Sequence, residues 1–402
     1  MAGKTAASIT GEGVVTAPGP ARTDVAGPAA TVRRIRASSL RTPITATPDG
    51  TVSLALGEPS FDTPEFIRRA MAEALAAGAT HYCDQQGIVE LREALARKES
   101  RPGTAALSAH EVLVTHGGSG GLAAAILALV DPGDVVAIED PTFSLYADLV
   151  AAAGGTVTTF GRTADGSLDR DELRAAVRAA SLVVVCQPSN PTGRVLSAAD
   201  WAFLAEVTQS RGTLVLSDEA YSALVYQESS FTSVLDVPQL AGRAILCQTF
   251  SKTYAMTGWR LGYLVGPRPV IDAAALVQRT LNGSLNTAVQ RAGVVALRDG
   301  EESVRSMLEI YRHRRDVMRE ALAGVPELRW QVPDGAFYFF CRYPAAVPSV
   351  QVAAMAREAG VLVRPGREFG SRGEGHIRLS FAAADEVITE GVRRLAPVIA
   401  GL

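Results

Sequence analysis

Lysine is scarce in this 402-residue chain: of 39 lysines and arginines only Lys4, Lys98 and Lys252 are lysines, so 36 are arginines. Cysteine is also sparse. Cys83, Cys186, Cys247 and Cys341 lie far apart, with no CxxC pair and no histidine at ligand spacing, which excludes a disulfide framework and a zinc site and predicts no metal. Free thiols of this kind point to a reducing cytoplasm. The chain lacks an uninterrupted apolar stretch of about 18 residues, so its 47% apolar composition and mean hydropathy of +0.14 reflect alanine in amphipathic helices and not a membrane span. It lacks excess positive charge as well: a net charge of -3 and a pI near 6.0 leave no nucleic-acid footprint. In the first 38 residues, rich in Ala, Thr, Gly and Pro, "VRRIR" is followed by no apolar segment, which argues against a secretory signal and predicts a disordered tail.

Against this background Lys252 stands out. Lys4 sits in the tail, and Lys98 at the charged end of the amphipathic "LREALARKESRPG". Lys252 instead follows the apolar "RAILCQTF" and precedes a Gly/Thr/aromatic segment. Arginine would serve in a salt bridge there, but a guanidinium cannot be deprotonated in a protein and forms no imine with an aldehyde. The pattern singles Lys252 out as a candidate amine, with an isolated strand-end lysine as the plain alternative.

From about 85 to 300, short apolar runs alternate with Ala/Leu-rich helical stretches, predicting an α/β domain built on a mostly parallel sheet covered by helices on both sides. The strands expected there are "EVLVTH", "DVVAIED", "LVVVCQPSN", "TLVLSDEA", "AILCQTFS" and "LGYLVG". Residues 301–402 change texture, with a long amphipathic helix, strands "LRWQV", "AFYFFCR", "GVLVR" and "HIRLSF", and helices at 349–359 and 384–399, predicting a smaller α+β domain joined by residues 39–84. No internal repeat is present.

Open sheets of this kind bind ligands at the C-terminal ends of their strands, where the polar residues of this chain cluster. In "THGGSGGLAAAI", Gly117, Gly118 and Ser119 open a helix with free backbone N–H groups and a hydroxyl, a phosphate cradle. Gly118-x-Gly120-x-x-Ala123 also fits a dinucleotide fingerprint, with Glu139 placed 21 residues after Gly118 as a ribose-binding acid. The acid pair of "VLSDEAY" could be a Walker B element, but Ser251 and Leu246 stand before Lys252 where a phosphate loop requires glycine. Asp218 is then either a strand-end carboxylate or a site residue. Asn190 lies in the loop "QPSNPTG". Arg378 shares a strand face with Ser380, opposite Ile377, Leu379 and Phe381, and is aimed at an anion.

From Leu56 to Ala382 the chain resembles the class I/II aminotransferases, pyridoxal-phosphate enzymes of fold type I. The resemblance rests on ten segments in order: "LGEPSFDTP", "HYCDQQGIVELREAL", "VTHGGSGG", "EDPTFSLY", "QPSNPTGRV", "SDEAY", "TFSKTYAMTGWRLGY", "DGAFYFF", "PGREFG" and "HIRLSF". It implies that Lys252 forms the Schiff base with pyridoxal 5′-phosphate and shuttles the proton at Cα, and that Asp218 keeps the pyridine nitrogen protonated. Asn190 and Tyr221 would hold the ring oxygen, and Phe143 would stack on the ring. Gly118, Ser119, Thr249, Ser251 and Arg260 would form the phosphate cup. Arg378 would grip the substrate carboxylate opposite the backbone of Gly57. Tyr82 would reach the phosphate of a neighbouring subunit, implying a homodimer with shared sites. The implied activity is ping-pong amino-group transfer between an L-amino acid and a 2-oxo acid. Elimination, cyclisation and racemisation share its first step and stay open; a fold-borrowing regulator would need a DNA-binding domain for which the tail leaves no room.

Several features depart from the family: Thr249 stands where Ser is usual but keeps the hydroxyl, and the segment before Gly57 is short and lacks the usual helix. Ser119 stands where aspartate-using relatives carry lysine, which predicts a donor other than aspartate. Arg364 and Arg367 flank "PG" near the site, where small residues are commoner, and are expected as solvated charges unless one turns inward to read a distal anion.

Overall fold

The computed structural model describes residues 27, 29–35, 49–102, 106–226, 231–344 and 346–402. The expected disordered tail lies almost wholly outside these residues; the part described holds a short helix, Ala30–Arg34, beside the helix Leu145–Ala153.

The strands, in chain order, are β1 (Val52–Ser53), β2 (Val112–His116), β3 (Val135–Glu139), β4 (Thr156–Phe160), β5 (Ala180–Cys186), β6 (Leu214–Asp218), β7 (Ala244–Thr249), β8 (Leu261–Val265), β9 (Tyr338–Arg342), β10 (Val361–Leu362), β11 (Arg364–Pro365) and β12 (His376–Ser380). Seven of them form one sheet in the order β2-β8-β7-β6-β5-β3-β4, in which β8 alone runs antiparallel to its neighbours. The fold is the mostly parallel, helix-covered α/β architecture expected from the alternating texture.

Side chains alternate across this sheet with period two and feed two separate cores. Val112, Val114, Val183, Val185, Val215 and Leu246 pack on one face; Leu113, Val136, Leu182, Val184, Leu216 and Ile245 pack on the other. Both faces are covered, so the central strands read as continuous apolar runs. A third core joins the long helix Glu301–Ala323 to β9, β12 and the helix Asp385–Ala400, with Leu54 among its members.

Three details differ from expectation. β4, "TVTTF", was not anticipated: it is the sheet edge, paired only with β3 and mostly solvated, so it has no need of an apolar run. "LRWQV" is no strand, since only Arg329 bridges, to Arg342. "GVLVR" splits at Val363: β10 pairs with β1, and β11 pairs with β12 in the three-stranded sheet β11-β12-β9.

The sheet positions the phosphate-cradle candidates through a close backbone approach. A Cβ on Gly262 in β8 would lie 2.6 Å from the carbonyl carbon of Gly117, 2.8 Å from the nitrogen of Gly118 and 2.8 Å from the carbonyl oxygen of Gln248. All three are main-chain atoms and cannot rotate aside. Gly262→Ala is therefore expected to cost about 1–3 kcal/mol, read as a lower denaturant midpoint with unchanged slope. Wild-type stability in that variant would show that the helix start at Gly117 can shift freely.

Candidate active site

The C-terminal ends of β2, β5, β6 and β7, the N-terminal end of the antiparallel β8, and the strands β9 and β12 converge on one region. Lys252 lies in a single helical turn, Phe250–Thr253, directly after β7. Thr249 caps that turn: its Oγ1 accepts from the Ser251 nitrogen at 3.1 Å and lies 2.9 Å from Ser251 Oγ. The Lys252 amine is thereby turned inward, where Nζ donates to the Gly57 carbonyl at 2.7 Å. Its pKa is pulled down to about 8, first by burial and further by Arg260 and Arg378, against the opposing pull of Glu58 and Asp218.

Asp218 ends β6. Its Oδ2 accepts from the Tyr146 hydroxyl at 2.8 Å and its Oδ1 from the Ala220 nitrogen at 3.2 Å. Burial nevertheless holds its carboxyl above the ordinary range; these bonds and the charge of Lys252 offset that only partly. A buried carboxylate so poorly compensated calls for a further positive partner.

Arg378 is almost wholly buried. Nη1 donates to Asn190 Oδ1 at 2.8 Å and Nη2 to the Ala55 carbonyl at 2.8 Å, while Nε has no partner. The guanidinium is sandwiched over the rings of Tyr338 at 4.1 Å and Phe369 at 4.9 Å. This fixes its plane and leaves N–H groups for an anion. The same bond fixes Asn190, whose carbonyl faces Arg378 and whose amide N–H groups are left to point elsewhere. The Tyr221 and Tyr338 hydroxyls lie 2.9 Å apart, and a Cβ on Gly57 would come within 2.6 Å of the Tyr338 oxygen.

Gly117, Gly118 and Ser119 form the first turn of the helix Gly117–Leu129, whose leading N–H groups have no intrahelical acceptor. Gly117 has φ +69°, and a Cβ there would strike the Arg260 guanidinium, which thus lies across the helix start. Helix N-terminus, hydroxyls of Thr249 and Ser251 and the Arg260 cation form an anion cradle. His116, the N-cap residue, has a buried Nδ1 without a partner, and burial and Arg260 hold its pKa low. Phe143 packs edge-on to Tyr146 with ring centroids 5.8 Å apart and lines a cavity of about 1140 Å³.

Not every expected residue joins this cluster. Tyr82 is 96% exposed. Glu139, the ribose-binding candidate, is buried and doubly bonded by Arg162 at 2.5 and 3.2 Å, so it serves the sheet edge and offers nothing to a dinucleotide. Arg367 is solvent-facing beside Glu374, as expected, but Arg364 is buried, opposite Arg378 in the β11/β12 register. Among the described residues no cluster of His, Cys, Asp and Glu could hold a metal, and no helix is long and apolar enough to cross a membrane.

Sequence reasoning missed Tyr146, Ala55 and Tyr338. Tyr146 and Tyr338 lie in quoted segments, and the available signal was a hydroxyl among otherwise apolar neighbours, which must find a partner when buried. Ala55 contributes only its carbonyl, for which sequence holds no signal.

A family model for aminotransferases of class I and II matches residues 49–395. The aspartate/prephenate aminotransferase of Thermus thermophilus is 36% identical over 87% of this chain and 91% of that protein. An aromatic-amino-acid aminotransferase of Thermococcus litoralis is 35% identical over 87% of this chain and 92% of its own length. The solved Thermus thermophilus aspartate aminotransferase with maleate superposes with a TM-score of 0.85 at 34% identity, covering 93% of this chain and all of that one.

The Lys252 shift has a consequence for stability. With a pKa of about 8 in the folded chain and 10.5 as its ordinary value, the unfolded chain holds a proton that the folded chain has lost between those pH values, so stability rises with pH through that window. Below it the full penalty of about 3 kcal/mol stands. Lys252→Met removes the penalty. In the ligand-free protein, the variant is expected to exceed the parent at pH 7 by up to about 3 kcal/mol, with the gap closing toward pH 10.5 in urea unfolding. A gap that ignores pH would mean the amine titrates normally.

Proposed function

The chain belongs to the class I and II aminotransferases and moves an amino group between an L-amino acid and a 2-oxo acid; on that premise we propose that it works through pyridoxal 5′-phosphate held covalently on Lys252. The observation that carries this reading is the pairing of an amine whose pKa falls to about 8 with a carboxylate, Asp218, that burial leaves wanting a cation. A neutral amine can attack an aldehyde, and a protonated ring nitrogen supplies the missing charge. When bound, the cofactor supplies an electron sink that acidifies the substrate Cα–H.

The chain's own groups divide the remaining work. Asp218 keeps the ring nitrogen protonated, itself held by Tyr146 and the Ala220 nitrogen. Asn190, its carbonyl already taken by Arg378, turns its amide N–H groups to the ring oxygen, with Tyr221 beside it. Phe143 would stack on the ring. Gly118, Ser119, Thr249, Ser251 and Arg260 receive the phosphate, and the Gly117 conformation supports the fit by leaving room for the Arg260 guanidinium. Arg378 binds the substrate carboxylate with the backbone of Gly57 facing it. The Lys252 amine, at the centre of these groups, would carry the proton at the substrate Cα as general base and acid. Residues 85–300 then serve as the cofactor-binding domain and 301–402 with 39–84 as the smaller domain that brings Arg378.

The exposure of Tyr82 supports a homodimer in which Tyr82 reaches the neighbouring subunit's phosphate. Four free thiols support a reducing, cytoplasmic setting. The exposed Ser119 hydroxyl supports a donor other than aspartate, since it cannot replace a charge-assisted pair to a distal carboxylate.

Borohydride treatment of the holoenzyme should fix the cofactor to the peptide carrying Lys252, and Lys252→Ala should abolish both the adduct and the associated absorbance. Asp218→Ala should lower kcat by at least about a hundredfold while the cofactor remains bound. Amino donors should convert the cofactor to pyridoxamine phosphate. Ammonia or a cyclised product in its place would overturn amino transfer for this chain.

A further inference from the structure

The loop that ends β11 places a carboxylate beside the site that no step above uses. Glu368 lies in the 3-10 turn Gly366–Phe369, four residues after Arg364 and next to Phe369, the ring under Arg378. Its side chain is 11% exposed and lines the cavity that Phe143 also lines. The nearest cation, Arg364 Nη1, stands 4.0 Å from Oε2, beyond hydrogen-bond reach, and Oε2 is fully buried without a hydrogen-bond partner. Buried acceptors of this kind are normally satisfied, so an orphaned one on a cavity wall points to a donor arriving with a ligand. Arg364 has other contacts of its own, though its Nε also lacks a hydrogen-bond partner, so the two side chains face each other without a bond between them.

The sign of that donor follows from the charges present. Arg364 and Arg378 both act on Glu368, yet burial still holds its carboxyl above the ordinary range. Two cations leave it under-compensated, and a carboxylate bound at Arg378 would offset part of that cation's field at Glu368. A third positive group is what the carboxylate lacks. Building on the aminotransferase reading, we propose that Glu368 is the specificity-determining residue for the donor side chain and selects amino acids that end in an ammonium or guanidinium group. The carboxylate on Arg378 and the side-chain cation on Glu368 then bind the donor at both ends.

The test compares L-lysine and L-arginine with L-norleucine, L-aspartate and L-glutamate in holoenzyme, measuring kcat/KM and, separately, equilibrium binding to Lys252→Ala protein loaded with pyridoxal phosphate. Cationic donors should exceed norleucine by at least about tenfold, and Glu368→Gln should remove that preference while leaving norleucine within about threefold of wild type. An unchanged thermal midpoint in Glu368→Gln would confirm that the site and not the fold was altered. A uniform loss across all donors would make Glu368 structural and overturn the proposal. A preference for aspartate or glutamate that Arg364→Ala abolishes would overturn it too, assigning the side-chain contact to Arg364. Because binding is read apart from turnover, cation selectivity without pyridoxamine phosphate would sink amino transfer while sustaining Glu368; amino transfer without selectivity would do the reverse.

Discussion

The hydrogen bond from the Lys252 amine to the Gly57 carbonyl ties the parts of the site together. It joins the turn after β7 to the segment following β1, residues 195 apart in sequence. Glycine is favoured at 57, because a side chain there would strike the Tyr338 hydroxyl. The carbonyl that anchors the amine, the phenol that meets Tyr221 and the guanidinium that meets Asn190 therefore share one small volume. Burial above all lowers the pKa of this amine, and the guanidinium groups of Arg260 and Arg378 add to it, while Glu58 and Asp218 only partly oppose the shift.

Asp218 faces the complementary problem. Burial raises the carboxyl and lowers the amine, so each is biased toward its neutral form. Such opposed shifts between neighbouring groups mark chemistry more often than stability, because a fold gains nothing by burying two ionisable groups that compensate each other weakly. Tyr146 and the Ala220 nitrogen hold the carboxylate in place without neutralising it. The site is thus built to receive charge, with hydrogen bonds spent on orientation.

Much of this was legible in the sequence because the parallel sheet forces it. Polar residues fall where apolar runs end, so Gly118, Asn190, Asp218 and Lys252 stood out as candidates by position, while their roles came only from the family resemblance. Arg378 was legible from period-two alternation. What escaped had no such signal. β4 is a polar edge strand, and its threonines look like a loop. The pairing of Tyr221 with Tyr338 depends on how two sheets face each other, which no local pattern encodes. Gly118-x-Gly120-x-x-Ala123 fits a dinucleotide fingerprint because any phosphate cradle of this kind needs the same helix start; the capture of Glu139 by Arg162 argues against a dinucleotide. Arg364 looked like surface charge because its burial follows from the strand break at Val363.

That break is the clearest case of the fold accepting cost at the site. β10 leaves one sheet at Leu362 and β11 enters another at Arg364, placing two guanidinium side chains directly opposite each other in an antiparallel pair. Like charges at such positions are destabilising, and here both are buried. The turn that follows is tightly specified: a Cβ at Gly366 would collide with the carbonyl oxygens of Gly373 and His376. This constraint sets the 3-10 turn that brings Phe369 under Arg378 and Glu368 toward Arg364. Phe369 stabilises one cation by stacking, whereas Glu368 at 4.0 Å is too distant to stabilise the other by a hydrogen bond. An arrangement selected for stability alone would have closed that gap or replaced Arg364 with an apolar residue, since exchanging a buried ion pair for packed hydrophobics is commonly neutral or favourable. The open geometry costs the free protein stability, and an anion placed on Arg378 would relieve the repulsion across β11 and β12.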